Sequence, residues 1–506
     1  MDAIATDVLI LGGGLGGVAA ALAAVEGGAR VVLVEGDRWL GGQLTAQAVP
    51  SDEHMWSESF GITASYRRLR DGVRDYYHAH YPLTPAARAH RHLNPGAGFV
   101  SPLCHEPRVG VAVIEAMLAP WRASGRLSVL QPYRLVSAET DGDGVRAVII
   151  ARETDGESLT IEAAYILDAT ETGDLLPAAG VEYVTGFESR RDTGEPSAPE
   201  QAQPANWTGP LLSLTAPDPR SGNPAAGWLD INPDGDPHAF EMALDREPGG
   251  LDLWRFRRIA ARRNFTDGFY ASDITLVNWP QIDYFEGLTF ADESLGVTEA
   301  DAAANREAAR QLSLSALYWL QTEVPRPDGG TGYPGLRLRG DIVGTHDGLA
   351  QDLYVRESRR IRAVTTVTEN DVSLEIRGDW GATTYTDSVG IGMYRIDLHP
   401  STGGDPYIDV ASTPFQIPLS ALLPVRVRNV LPAAKNIGTT HITNGCYRLH
   451  PIEWNIGEAA GALAAYCVAG GVTPHQVGGD ASRLADFQRL LVARGVELAW
   501  PVIGGY

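Results

Sequence analysis

The sequence predicts an α/β protein with a Rossmann-like unit at its N-terminal end. Three observations carry that expectation: a short apolar strand, a glycine-rich turn running into an Ala-rich helix, and a second strand that ends on an acid. The first strand is Asp7 to Leu11, the turn Gly12 to Gly17, the helix Gly16 to Glu26 and the second strand Val31 to Glu35. Within the turn Gly12, Gly14 and Gly17 satisfy Gly-x-Gly-x-x-Gly, with Leu15 and Gly16 between the last two. Gly12 permits the tight turn, Gly14 lets a pyrophosphate approach the backbone, and Gly17 lets helix and strand pack closely. The helix start adds free N–H donors and a positive dipole end. Glu35 can accept hydrogen bonds from ribose hydroxyls. The unit alone does not distinguish a nicotinamide from a flavin nucleotide.

A chain of 506 residues allows roughly three domains, or two with long insertions. Charged residues make up 21% and the apolar class 44%, the balance of a globular protein and not of a disordered one. Acids number 63 against 41 basic residues, a net charge of −22. That excess speaks against nucleic acid, whose phosphates need a basic face, and against an anionic membrane surface. Every basic residue but one is Arg; the exception is Lys435. Cys104, Cys446 and Cys467 are odd in number and lack paired spacing, so neither a disulfide framework nor a metal site is implied. No basic residue precedes the apolar run from Val8, which is not the pattern of a signal peptide, and a cytoplasmic protein is expected. The run from Val8 to Val25 is apolar enough to mimic a membrane span, yet its glycines favour a turn between strand and helix.

Further signals follow in order. After Glu35 comes Gly41-Gly42-Gln43-Leu44-Thr45. Tyr165 to Asp174 ends a strand on Ala169-Thr170 and then Gly173-Asp174. Near the C-terminus stand Asn429 to Gly438, containing Lys435 and Asn436, and Asn455-Ile456-Gly457 to Gly461. Together these resemble the FAD-dependent oxidoreductases of the glutathione-reductase structural class. More narrowly, the chain resembles over nearly its whole length the bacterial family called FAD-dependent oxidoreductase, whose members are sometimes labelled xanthan lyases. Its markers here are Ser101 to Pro107, Asp168 to Gly180, Gly186 to Ser189, Tyr318 to Gln321, Tyr354 to Ile361 and Ile396 to His399. The resemblance implies FAD and redox chemistry but no one substrate. Where an Arg or an acid is expected after the last FAD strand, this chain has Lys435.

Because the cofactor motifs lie at both ends, the FAD-binding domain is expected from discontinuous segments, 1–185 and 405–475, with an α+β substrate or cap domain, 186–404, inserted and a helix and tail at 476–506. Residues 190–250 are rich in Pro, Gly and Asp and read as long loops of the kind that cover a site. Thr298 to Glu323 and Ala481 to Arg494 have the spacing of amphipathic helices. No internal repeat is found.

FAD accepts a hydride or single electrons, so the protein must position a substrate, remove a proton and tune the cofactor. In the resembled flavoproteins a helix, here beginning near Ile452, points its N-terminus at the flavin, which implies backbone contacts at Asn455 and Ile456. The loop before it carries His441, Tyr447, Arg448 and His450. An imidazole with an ordinary pKa of about 6.5 suits proton removal. His399 is a rival base, with Asp397 two residues back on the same strand face. Arg356, beside Glu357, Arg359 and Arg360, can turn a guanidinium toward a carboxylate. Cys104 and His105 precede a helix from Arg108 to Trp121 and can reach the flavin, even covalently. Lys435 places a cation where charge develops during reduction. The plainer alternatives are a His that satisfies a nearby carbonyl, an Arg–Glu structural ion pair and a Lys in a surface turn.

The expectation is an FAD-dependent oxidase or dehydrogenase that takes a hydride from a C–H bond beside a hydroxyl or amine of a small polar metabolite. The electron acceptor is dioxygen or another oxidant, and a homo-oligomer is allowed. The alternatives are a flavin-dependent reductase of an activated C=C bond, with Arg356 or Arg448 as proton donor, and a non-catalytic flavin-binding protein.

Overall fold

Apolar runs without polar alternation make strands covered on both faces. Val8 to Leu11 and Val31 to Val34 are such runs, and all eight side chains are buried. In this computed structural model the described residues are 3–202, 253–278, 281–284, 287–326, 329–357, 359–399 and 407–501, with the short strands Gly222–Asn223 and Trp228–Ile231. The expected long loops at 190–250 therefore lie mostly outside the described residues.

The main sheet contains β1 (Ile4–Leu11), β2 (Val31–Val34), β3 (Leu127–Leu130), β4 (Tyr133–Asp141), β5 (Gly144–Arg152), β6 (Ser158–Asp168) and β7 (Val430–Pro432). Its order is β3-β2-β1-β6-β5-β4, and β7 lies beside β6. β1, β2, β3, β6 and β7 pair in parallel, while β4, β5 and the first half of β6 form an antiparallel meander. Residues 430–432 thus complete a sheet begun at residue 4, as expected of a Rossmann-like domain assembled from both chain ends.

The helices are α1 (Leu15–Glu26), α2 (Ala64–His80), α3 (Pro107–Ala123), α4 (Glu299–Thr322), α5 (His441–Tyr447), α6 (His450–Gly470) and α7 (Ala481–Ala493), with shorter ones between. α1 and α6 are buried on nearly every face because they lie against each other and against the sheet. Their backbones nearly touch. A Cβ at Gly457 would lie 2.0 Å from Gly16 O, and one at Gly461 would lie 2.2 Å from Ala20 O. α4 begins at a capping box, Thr298 with Asp301. Its Leu312 and Leu320 join Trp254, Tyr284 and Leu353 in a second core drawn wholly from residues 254–355. α7 buries Phe487 and Leu491.

Two expectations change. His441 to Tyr447 is a helix and not a loop, capped by Thr440, and the next helix begins at His450, not Ile452. The strands Ser388–Gly392 and Phe415–Pro418 pair with each other across the 404/405 boundary. Among the described residues no helix is long and apolar enough to cross a membrane.

Candidate active site

The parallel strands end in register, Leu11 beside Asp168 and Asp168 beside Pro432, so the residues after them meet at one edge of the sheet. Ala169 N donates to Leu11 O at 2.7 Å and Ala433 N to Asp168 O at 2.7 Å. Ligands of open parallel sheets bind at this carboxyl edge. Glycine is required here by contact. Gly12 has φ +92° and its Cβ would lie 2.2 Å from Ala169 O; Cβ atoms at Gly16 and Gly17 would lie 1.9 Å from Ala433 O and 2.0 Å from Gly12 O. Gly41 and Gly42, with φ of +110° and +44°, fold the next turn back so that Gly41 N donates to Gly13 O at 2.7 Å.

Around this edge opens a cavity of about 770 Å³ lined by Gly12, Gly14, Glu35, Gly42, Ala169 and Thr170 among others. Glu35 faces it, accepting from Gly13 N at 2.5 Å and Asp37 N at 2.6 Å. Burial, against those two donors, pushes its carboxyl up to about 7. Burial with the Asp352 and Glu35 charges pushes Asp37 up to about 9. Thr170 N and Oγ1 donate to Asp168 Oδ1 at 3.1 and 2.7 Å, fixing the turn after β6. Gly173, with φ +66°, packs against Arg359. Asn436 Nδ2 donates to Asp168 O at 3.2 Å and braces the turn after β7. Lys435 is 3% exposed, and its Nζ pairs with Glu171. Burial alone would pull this ammonium down, but the Glu171 and Glu453 charges outweigh it and the shift is upward.

Near the start of α6 six side chains close a polar ring. His399 Nδ1 lies 2.5 Å from Asp283 Oδ2, whose other oxygen accepts from Arg356 Nη1 at 2.5 Å. The Arg356 guanidinium sits over the Tyr354 ring, 5.3 Å from its centroid. Arg448 Nη1 donates to Tyr354 Oη at 3.0 Å, and its Nη2 lies 3.4 Å from Asp397 Oδ2. Asp397 Oδ2 returns to His399 Nε2 at 3.9 Å. A carboxylate can only accept, so Nδ1 carries the proton toward Asp283 and Nε2 is the basic atom. Burial alone would raise the Asp397 carboxyl, but His399 and Arg448 hold it below its ordinary value. Beside the ring, Arg257 pairs with Asp52 at 3.1 Å and Tyr394 Oη donates to Asp52 at 3.4 Å. Leu353 and Val355, on either side of Tyr354 in the chain, line the cavity, and Gln43, next to the cavity-lining Gly42, donates through Nε2 to Arg448 O at 3.0 Å and to Glu453.

A family model described as FAD dependent oxidoreductase matches residues 7–491. The chain belongs to that family. It is an FAD-dependent oxidoreductase, an enzyme that takes a substrate and an electron acceptor. No curated protein matches it. Among solved structures it is similar to L-proline dehydrogenase from P. horikoshii (16% identity, TM-score 0.19), over 37% of this chain and only 25% of that one. It is also similar to the myxobacterial FAD-dependent chondrochloren halogenase CndH (12% identity, TM-score 0.38, 98% of this chain and 84% of that one). A mutant of E. coli quinol fumarate reductase FrdA gives 12% identity and TM-score 0.35 over 98% of this chain and 74% of that one. At TM-scores this low none of them says what this flavoenzyme acts on.

The cavity fits FAD. Gly14 and Gly42 leave the backbone approach a pyrophosphate needs, and Glu35 offers the ribose an acceptor. Gly12, Leu15, Gly16, Gly17, Gly41, Gln43, Ala169, Thr170, Gly173, Lys435 and Asn436 all lie at or beside this edge. Asn455 and Ile456 need correction as backbone donors. With α6 starting at His450 they sit in its second turn, where N–H groups bond back into the helix. The Asn455 side chain is also engaged, accepting from Ile391 N at 3.2 Å.

The candidate bases separate. His450 has both ring nitrogens on the backbone, at Asp52 N (3.1 Å) and Val49 O (3.1 Å), and burial pushes it down to about 4. His441 is packed on Phe187 with centroids 3.5 Å apart and lies against Glu357; burial, Arg360 and Arg448 hold it far below its ordinary value. His105 Nδ1 is 2.8 Å from Glu106 O, and burial pushes it down to about 4. The Cys104 thiol is pushed up to about 12 by burial. Tyr447 Oη donates to Gln416 O at 2.7 Å, and its ring stacks on Phe415. The structure brings His399, Arg356 and Arg448 together. Of their partners, Asp283 and Tyr354 were not singled out by sequence reasoning, and neither were Glu171 and Glu453 at the cavity. Glu453 had a readable signal, an acid inside the apolar start of α6.

Proposed function

We propose that this flavoenzyme is an oxidase or dehydrogenase that takes a hydride from a C–H bond beside a hydroxyl or amine of a small polar metabolite. FAD supplies the hydride acceptor when bound. His399 removes the proton from the hydroxyl or amine at Nε2, while Asp283 holds Nδ1–H and stabilises the charged imidazole. Arg356 and Arg448 orient the substrate's polar groups from the two sides of Tyr354. Residues 186–404 form the substrate side, since Asp283, Tyr354, Arg356, Asp397 and His399 all come from them.

The observation that carries this reading is the His399–Asp283 pair, at 2.5 Å, in a ring whose Tyr354 lies between the cavity-lining Leu353 and Val355. His450 and His105 are engaged by backbone groups, and His441, although it lies against Glu357, is packed on Phe187 and held far below its ordinary value, whereas His399 is oriented by Asp283 within the ring. The test is an anaerobic absorbance titration with amines, alcohols and hydroxy acids, followed by air. Bleaching of the flavin band by one donor class, with recovery in air or with an added acceptor, is the expected result. No bleaching by any donor, together with reoxidation of the chemically reduced protein by an unsaturated acid, would overturn it in favour of hydride delivery to an activated double bond.

A further inference from the structure

The space above Gly14, kept open by the missing side chain, is bordered by two carboxylates. A Cβ at Gly14 would lie 3.2 Å from Glu171 Oε1 and 3.4 Å from Glu453 Oε1. Glu453 also accepts from Gly16 N, in the first turn of α1, at 3.1 Å. That N–H and that space are what a pyrophosphate uses at this type of turn. Glu453 is 1% exposed, so its carboxylate is held by these protein groups and not by bulk water.

We propose that Glu453 is a built-in competitor for the FAD pyrophosphate, holding the α1 N–H and the space above Gly14 as a carboxylate and yielding them when it takes up a proton. FAD binding is then coupled to uptake of one proton from solvent. The groups that face Glu453 are Glu171 from the turn after β6, Lys435 from the turn after β7, Gln43 from the turn at 41–45 and Gly16 N from α1. Arg448 presents only its carbonyl oxygen to this cluster, through Gln43. Lys435 is the one cation there, and it is paired with Glu171. Two carboxylates and a pyrophosphate around one ammonium leave excess negative charge, which a proton on Glu453 relieves. Burial and the Glu171 charge, opposed by Lys435, set Glu453 at about 7, within the accessible range.

The test dilutes the holoenzyme at several pH values and reads released FAD by its fluorescence, with an indicator dye counting protons. The FAD dissociation constant is expected to rise about tenfold per pH unit above about 7, with nearly one proton taken up per FAD bound at the alkaline end. Glu453→Gln should bind FAD with no such slope and, at about pH 8.5, roughly 30-fold more tightly than the wild type. Glu35 titrates near the same pH, so Glu35→Gln should weaken binding yet keep the slope. A flat wild-type profile, a slope retained in Glu453→Gln, a slope lost in Glu35→Gln, or poor FAD retention by folded Glu453→Gln would each overturn the proposal. Should Glu453→Gln not fold, Glu453→Ala takes its place, and the wild-type slope with the Glu35→Gln control decides alone.

Discussion

Asp283 lies 116 residues from His399 in the chain and 2.5 Å from its Nδ1 in the structure. It shares its other oxygen with Arg356, also at 2.5 Å, so one buried carboxylate orients both an imidazole and a guanidinium. Removing it while keeping its shape separates orientation from packing. Asp283→Asn and His399→Asn should each slow flavin reduction by the natural donor by about 10² to 10⁴. FAD content should stay at the wild-type level, because neither residue lines the cofactor cavity. Stopped-flow bleaching under anaerobic conditions checks both, and a normal rate in either variant removes His399 as the base.

Gly17 is held by contact, since a Cβ there would sit 2.0 Å from Gly12 O and 3.3 Å from Ala169 Cβ. Backbone cannot step aside as a flexible side chain can. Gly17→Ala should lose FAD on purification and cost about 1–3 kcal/mol of stability. Absorbance of the purified protein and a urea transition measure the two effects.

The local parts of this fold were readable because their causes are local. The Gly12–Gly17 turn, the Ala-rich α1 and the acid ending the second strand follow from spacing within thirty-odd residues, and α4 and α7 from apolar periodicity. The polar ring was only half readable. Arg356, Arg448 and His399 stand out as residue types, but Asp283 reaches His399 only through tertiary folding, and no spacing encodes that contact. His441 to Tyr447 reads as a loop because Gly445 and Asn444 are poor helix formers, yet Thr440 and Thr443 form a capping box that starts a helix there. The Arg–Glu ion pair within Tyr354 to Ile361 is made by Arg360 with Glu357, while Arg360 also pairs with Glu188 at 2.8 Å and Arg359 pairs with Asp292 at 2.8 Å, both outside the segment.

Arg70 ties the segment after the second glycine pair to α2. Its Nε and Nη2 donate to the two oxygens of Glu53 at 3.0 and 3.1 Å, and Nη2 reaches Glu58 at 2.8 Å. The Arg70 and Glu53 side chains are 3% and 1% exposed. Deleting one partner strands a buried charge, so Arg70→Ala should cost about 3–5 kcal/mol. Equilibrium denaturation measures it, and a loss under ~1 kcal/mol would mean that water replaces the guanidinium.

Glu195 gives stability a pH dependence. Burial pushes its carboxyl up to about 7, although Thr440 Oγ1 and Glu369 N donate to it at 2.6 and 2.7 Å. The folded state keeps a proton that the unfolded chain has already released, so stability is full at acidic pH and falls as pH rises to about 7. Glu195→Gln removes that loss. Its melting temperature should match the wild type near pH ~5 and exceed it near pH ~8, by up to about 3 kcal/mol in free energy.

Lys435 is the chain's only lysine, and it is buried against Glu171 beside Gly14 and Gly42, not set in a surface turn. A compact ammonium at this position offsets the charge of Glu171 and Glu453, while Arg448 turns its guanidinium to Tyr354 and Asp397. Lys435→Met keeps the length of the side chain and removes the charge. It should weaken FAD retention about tenfold and slow reoxidation of the reduced enzyme by a similar factor. Lys435→Arg should restore neither fully, because the larger planar fork does not fit a site built for a point charge. Unchanged FAD content and an unchanged reoxidation rate in Lys435→Met would show that the charge acts only on Glu171.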